Sequence, residues 1–123
     1  MLACPPDRCL CFSNKIIEGE CACGKGPSLC YGPAVHNKLL DFVQKTADKS
    51  NIPYQLRAVS RSTGTDTDSF AYANDGCPSV LISIPLRYMH TPSEVVDLED
   101  VERCVKLFVE FAKGLEKGDY AHW

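Results

Sequence analysis

Ser79-Val80-Leu81-Ile82-Ser83-Ile84 is a short run, rich in apolar and β-branched residues, that ends at Pro85. It lacks the regular alternation of apolar and polar residues seen in half-exposed strands, and such runs are typical of strands buried on both faces of a sheet. The sequence therefore predicts a central strand over residues 79–84. It also predicts a polar loop over residues 86–96, which leaves the carboxyl end of that strand.

Two more strands are predicted upstream of this run, over residues 27–31 and 54–59. A helix that begins at residue 33 or 34 and continues to about residue 49 is predicted between them, because apolar residues recur there at helical spacing. A short helix is predicted over residues 66–73.

The last predicted helix begins after Asp97, a good N-cap residue, and ends before Gly118. The apolar face predicted for it consists of Leu98, Val101, Val105, Phe108, Phe111 and Leu115. Strands and helices alternate along the chain, and this order predicts an α/β fold with a mainly parallel sheet flanked by helices.

The chain has 123 residues, which suits one domain, and its formal net charge is −3. A negative balance without any basic run argues against a nucleic-acid partner. No apolar stretch approaches the length of a membrane span, and Met1 to Cys4 lacks the flanking segments of a secretion signal. We therefore expect a cytoplasmic protein with no membrane partner.

Eight cysteines are present, and six of them lie in the first 30 residues. The close pairs Cys9/Cys11 and Cys21/Cys23 are separated by one residue, whereas structural zinc sites usually separate paired ligands by two to four. Reduced thiols are therefore favoured over a zinc or redox module and over a disulfide framework. Cys77 and Cys104 stand in apolar contexts and are predicted to be buried.

Two polar loops follow predicted strands, over residues 60–68 and 85–94. In open α/β sheets, ligands bind beyond the carboxyl ends of the strands, so these loops are the candidate site. His90 in the second loop could bind a metal, or could simply bond to the backbone. In the first loop, backbone N–H groups near Gly64 could bind an anion or a carbonyl oxygen, or Thr65 or Asp66 could only cap the following helix. His36 is expected to be a solvated or capping residue.

The same loops carry a longer pattern. It comprises Gly64-Thr65-Asp66, the run 76–92 with Pro85-Leu86-Arg87-Tyr88-Met89-His90-Thr91-Pro92, and Glu94-Val95-Val96-Asp97-Leu98. With residues 24–27 upstream, it resembles the C-terminal signature of the zinc- or cobalt-dependent aminopeptidases, which include the tetrahedral, glutamyl and deblocking enzymes and some relatives labelled endoglucanases. The resemblance covers about residues 24–116.

This resemblance implies part of a three-layer zinc-peptidase-like catalytic domain in a homo-oligomer that acts on short peptides. Two divalent metal ions, zinc or cobalt, would activate a water for attack on the first peptide bond. In the family pattern, His90 matches the last metal ligand. Gly64, Thr65 and Asp66 match a loop on the substrate side, and Arg87 and Tyr88 match a turn that orients the histidine.

The remaining metal ligands and the glutamate base lie upstream of the matched region in that family. We expect residues 1–23 to be an irregular cysteine-rich segment outside the resemblance, so Asp7, Glu18 and Glu20 are not assigned as ligands. Residues 24–118 would be the C-terminal part of the catalytic domain, and 119–123 a tail. A truncated or frameshifted gene would explain this arrangement, and the chain alone is expected to be inactive. The alternative is a stand-alone α/β module for binding or self-association.

Overall fold

A computed structural model describes residues 21–73 and 75–115 of the chain. Its three-stranded sheet consists of β1 (Ser28–Tyr31), β2 (Gln55–Ala58) and β3 (Ile82–Ser83), in the order β2-β1-β3. β1 and β2 are parallel, with Leu29 opposite Leu56, whereas β3 runs antiparallel to β1. The α/β class is confirmed, and within the described sheet the predicted parallel arrangement holds for β1 and β2.

The central strand of the sheet is β1, whereas the sequence predicted that residues 79–84 would be central. Only Ile82 and Ser83 of that run form a ladder, and both are half-buried. The carbonyl of Ser79 instead accepts from the backbone N–H of His36 (2.9 Å), so the start of the run follows the turn after β1. Leu29, by contrast, is fully buried. An apolar run indicates that a segment contacts the core, but it does not show that strands flank the segment on both sides.

Helix α1 (Asn37–Lys49) packs its buried residues Leu39, Leu40, Val43 and Ala47 into the core. It begins three or four residues later than predicted, because the backbone N–H of Val35 closes a turn onto Gly32 and that of His36 bonds to Ser79. His36 occupies the N-cap position but makes no side-chain cap hydrogen bond. Helix α2 (Asp66–Ala71) is two residues shorter than predicted.

Helix α3 (Leu98–Gly114) begins as predicted, with the Asp97 carboxylate accepting from the backbone N–H of Glu99 (2.9 Å). It packs against α1, where the rings of Phe42 and Phe111 meet edge to face with centroids 5.6 Å apart. The core cluster that these elements form consists of Leu29, Val35, Leu40, Val43, Ala47, Ile52 and Leu107.

The face predicted for α3 is largely wrong. Leu98, Val105 and Phe108 are 73%, 58% and 51% exposed, whereas the buried positions are Asp100, Cys104 and Leu107. Successive residues turn by about 100° around a helix, so α3 carries two apolar stripes on different sides. Helix α1 covers the stripe that includes Leu107 and Phe111, so Phe111 is confirmed as a core-facing residue, whereas Leu107 was not part of the predicted face.

Residues 86–96, predicted to be a loop, contain a small hairpin. β4 (Leu86–Arg87) pairs antiparallel with β5 (Val95–Val96), which brings the two ends of the polar segment together. Cys104 is buried as predicted, but Cys77 is exposed. In the ranges 21–73 and 75–115, no helix is long and apolar enough to cross a membrane.

Some predictions fall on parts of the chain that lie outside the described residues. They concern the N-terminal segment with Asp7, Glu18 and Glu20, the cysteines at 4, 9 and 11, and the tail 119–123.

Candidate functional site

The two polar loops lie together, as the sequence predicted, and enclose an open cleft of about 400 Å³. One wall is Ser62 to Thr65, and the other includes Leu86, Met89 and His90. Arg57 and Val59 at the end of β2, with Ser83 and Ile84 after β3, line the space between them. The predicted residues Gly64, Thr65 and His90 therefore share one site, whereas Asp66 is an exposed helix residue that does not line it.

His90 stands on a tight turn with unusual backbone angles. Its φ is +64° and that of Tyr88 is +61°, both in the left-handed region, which non-glycine residues seldom adopt. Such conformations persist only where neighbouring groups enforce them, and they are concentrated at functional sites. His90 is exposed, so its imidazole is accessible from the cleft.

Two side chains that the sequence did not single out hold this turn. The Thr91 hydroxyl and backbone N–H donate to the carbonyl of Tyr88 (2.6 and 3.1 Å). The backbone N–H of His90 donates to the Glu94 carboxylate (2.6 Å). Threonine three residues after Tyr88, and glutamate four after His90, are consistent with such local bonds, but sequence spacing alone does not establish them.

Arg87 and Tyr88, matched to a supporting turn, contact each other. The guanidinium carbon lies 5.4 Å from the centroid of the tyrosine ring, which is a cation–π arrangement. A role for them in orienting the imidazole stays a prediction.

The first loop is fastened by Asp68. Its carboxylate accepts from the backbone N–H groups of Thr63 (2.9 and 3.0 Å) and Gly64 (3.0 Å), and the N–H of Thr65 donates to the Thr63 hydroxyl (3.2 Å). Thr65 is the N-cap of α2 and accepts from the N–H of Thr67. Of the two roles that the sequence left open for this loop, the structure has the capping one: Thr65 caps α2, and the N–H groups of Thr63, Gly64 and Thr65 are occupied.

These bonds, those from Thr63 first, lower the pKa of Asp68 below its ordinary value of 3.8. Because folding lowers this pKa, the ionised carboxylate stabilises the loop at pH values above the ordinary pKa. That stabilisation is lost as the pH falls through the lowered pKa of the folded state. We expect the amide resonances of Thr63 and Gly64 to titrate with a midpoint below 3.8. At neutral pH, Asp68→Asn should speed hydrogen exchange of both amides about tenfold. Asp66→Asn is the control, and equal exchange in the two variants would refute the assignment.

The described residues do not by themselves hold a dinuclear metal centre. Residues 21–73 and 75–115 contain no group of three or more histidine, cysteine, aspartate or glutamate side chains placed to bind a metal. His90 is the one such donor among the residues that line the cleft. A cysteine site gains no support here either, because the Cys21 thiol donates to the Ser28 hydroxyl (3.2 Å) and that of Cys23 to the carbonyl of Pro85 (3.8 Å).

An α/β sheet with a histidine-bearing cleft at its strand ends agrees with comparisons to known proteins. A sequence model of the M42 glutamyl aminopeptidase family matches residues 8–107. The lysyl aminopeptidase of Pyrococcus furiosus is 36% identical over 97 residues, which are 79% of this chain and 28% of that protein. The chain therefore belongs to the M42 glutamyl aminopeptidase family.

Solved structures agree with this assignment. The TET aminopeptidase of a marine sediment Thaumarchaeota archaeon superposes with a TM-score of 0.72 at 36% identity, covering 77% of this chain and 27% of that one. The TET1 peptidase of Pyrococcus horikoshii can assemble into a tetrahedron or a large octahedral shell. It superposes with a TM-score of 0.66 at 26% identity, covering 85% of this chain and 31% of that one.

These matches cover only part of each relative, and they begin close to the N-terminus of this chain. The chain spans less than a third of the length of each relative. The family match also begins at residue 8, so the expectation that residues 1–23 lie wholly outside the resemblance was wrong.

Proposed function

We propose that this chain supplies the His90-bearing part of a metal-dependent aminopeptidase domain, which removes N-terminal residues from short peptides. The observation that carries the proposal is the placement of His90 on a strained turn in the same cleft as Gly64 and Thr65. Two divalent metal ions, zinc or cobalt, would supply the activation of water in such an enzyme. Their other donors must come from outside the described residues, so we derive no catalytic step from this chain alone.

Within that domain, the chain's own residues would bind and position. A neutral imidazole at His90 would be one metal ligand, and the bonds of Thr91 and Glu94 would keep it in place. Leu86 and Met89 give the cleft an apolar wall suited to a peptide side chain, and Gly64 allows close approach on the opposite side. Asp66 is retained as a substrate-side residue only by its match to the family pattern.

The assembly would be a soluble cytoplasmic homo-oligomer without nucleic-acid or membrane partners. Support comes from the TET1 peptidase, which can assemble into a tetrahedron or a large octahedral shell, and from the negative net charge of this chain.

A chimera tests the proposal. The matching region of the Pyrococcus furiosus lysyl aminopeptidase is replaced by the corresponding residues of this chain, and hydrolysis of short peptides is measured with zinc or cobalt present. We expect an active chimera and an inactive isolated chain. Because loss of a group that merely supports a metal ligand lowers activity 10- to 100-fold, His90→Ala should lower it by at least about 100-fold. His36→Ala is the matched control. Activity in the isolated chain, or retained after His90→Ala, would overturn the proposal.

The alternative, a stand-alone self-associating module, is favoured by the outer face of α3. We call this face the outer stripe, defined by Leu98, Val105, Phe108 and Val109, all of which are large, apolar and 45% or more exposed. Contiguous exposed apolar side chains are typical of contact surfaces. No described residue covers the outer stripe, so the isolated chain has a surface through which copies can associate.

We expect the isolated chain to self-associate through the outer stripe, because burial of its apolar surface is favourable. Val105→Glu combined with Phe108→Glu should yield a monomer in sedimentation velocity, with unchanged helicity because both positions are exposed. Lys106→Glu, on the charged side of the same helix, is the control and should leave association intact. A monomeric wild-type chain would count against a role in self-association.

A further inference from the structure

Among the described residues that line the cleft, Arg57 is the one with a permanent charge. It lies on β2 opposite Cys30 of β1, close to the carboxyl end of the strand, and its side chain is half-buried. Its Nε atom is fully buried and has no hydrogen-bond partner among residues 21–73 and 75–115. Buried polar groups are nearly always bonded, so this orphaned Nε marks Arg57, at the wall of the cleft, as an arginine whose charge no described residue satisfies.

The surroundings of Arg57 favour an anionic acceptor. No carboxylate is among the described residues that line the cleft. Asp68 borders the first loop, but its oxygens accept from the backbone of Thr63 and Gly64. A planar guanidinium with fixed N–H groups matches a carboxylate geometrically, and hydrogen bonds between two charged groups are stronger than neutral ones.

We propose that Arg57 binds a carboxylate of the peptide substrate and so sets the substrate preference of this cleft. The inference rests on the proposed function, because that function makes the ligand a peptide. The apolar side chains of Ile84, Leu86 and Met89 line the same cleft and would contact the uncharged part of that ligand. The carboxylate belongs either to an acidic first side chain or to the carboxyl terminus of a short peptide.

Direct binding to the 123-residue chain tests this proposal without metal or catalysis. The backbone amide resonances of Gly64, Thr65 and His90 are followed by NMR during titration with three peptides. Glu-Ala-Ala amide carries an acidic side chain only, Ala-Ala-Ala acid carries a terminal carboxylate only, and Ala-Ala-Ala amide carries neither. We expect a saturable response to one carboxylate peptide, which identifies the source, and at least about tenfold weaker binding of the neutral amide.

Arg57→Gln should weaken binding of the carboxylate peptide about tenfold, and Arg57→Lys should weaken it less, because a lysine keeps the charge but loses the planar fork. Lys45→Gln, on α1 outside this cleft, is the matched control. Equal binding of all three peptides, or unchanged binding after Arg57→Gln, would overturn the assignment. An inactive chimera with intact Arg57-dependent binding would count against the aminopeptidase proposal alone, and an active chimera without such binding would count against Arg57 alone.

Discussion

Replacing Asp100 with asparagine should lower the free energy of unfolding by about 3–5 kcal/mol, the range found when one partner of a buried charged pair is removed. The Asp100 side chain is fully buried. Its two oxygens accept from the backbone N–H groups of Gly24 (2.6 Å) and Gly26 (2.7 Å) and from the guanidinium of Arg103 (3.0 Å). An asparagine would turn an N–H₂ group towards one of these donors and leave at least one of them unsatisfied.

Glu99 provides a matched control for this substitution. Its carboxylate bonds to the same Arg103 (2.7 Å), but its side chain is 72% exposed. Exposed ion pairs contribute about 0–1 kcal/mol, so Glu99→Gln should be nearly neutral. Urea unfolding of both variants measures the difference. Similar midpoints for Asp100→Asn and Glu99→Gln would show that the buried carboxylate does not hold segment 24–26 to α3.

Gly26→Ala should destabilise the chain by about 3 kcal/mol or more, since two separate effects add. The φ of Gly26 is +92°, and a Cβ there would overlap the backbone carbonyl of Pro53. The neighbouring backbone cannot move freely, because Gln55 bonds through its N–H to Pro27 (2.9 Å) and through its side chain to the carbonyl of Gly26 (2.9 Å).

Gly64→Ala separates these two effects. Gly64 also has a positive φ, +69°, but no atom lies within 4 Å of the position that a Cβ would take. Gly64→Ala should therefore lower the free energy of unfolding only by the cost of a left-handed backbone at an alanine, about 1–2 kcal/mol. In thermal or urea unfolding, the free energy of unfolding of Gly26→Ala should therefore be well below that of Gly64→Ala. Equal destabilisation would mean that the approach of residues 26 and 53 is not close in solution.

The parts of the fold that follow from local chemistry were predictable from the sequence. The Asp97 and Thr65 caps and the parallel strands β1 and β2 were placed within a few residues, because capping and hydrophobic patterning act over short distances. Which stripe of α3 is covered depends on α1, a partner distant in sequence. The role of Asp100 was missed for the same reason, since an acid in the first turn of a helix is ordinary without any long-range contact.

The candidate site was predictable in its location and less so in its chemistry. The loops that follow β2 and β3 do form one cleft, but β3 is antiparallel to β1, so the rule for the carboxyl ends of parallel strands does not by itself account for this. His90 became a candidate ligand mainly through its place in a long family signature, because one histidine after a strand has little significance alone. The occupied N–H groups of the first loop could not be foreseen, because their hydrogen bonds to the Asp68 carboxylate depend on a turn that the sequence permits but does not specify.

The metal content of the chimera tests the central claim most directly. Purified chimeras with His90 intact, with His90→Ala and with His36→Ala are equilibrated with zinc, freed of loose metal by gel filtration and analysed by elemental mass spectrometry. If His90 is a ligand of a dinuclear centre, the intact chimera and the His36→Ala control should retain about two zinc ions per protomer, and His90→Ala about one or fewer. Two tightly held ions in the His90→Ala chimera would show that this histidine is not a metal ligand, and the proposed role of the chain would be wrong.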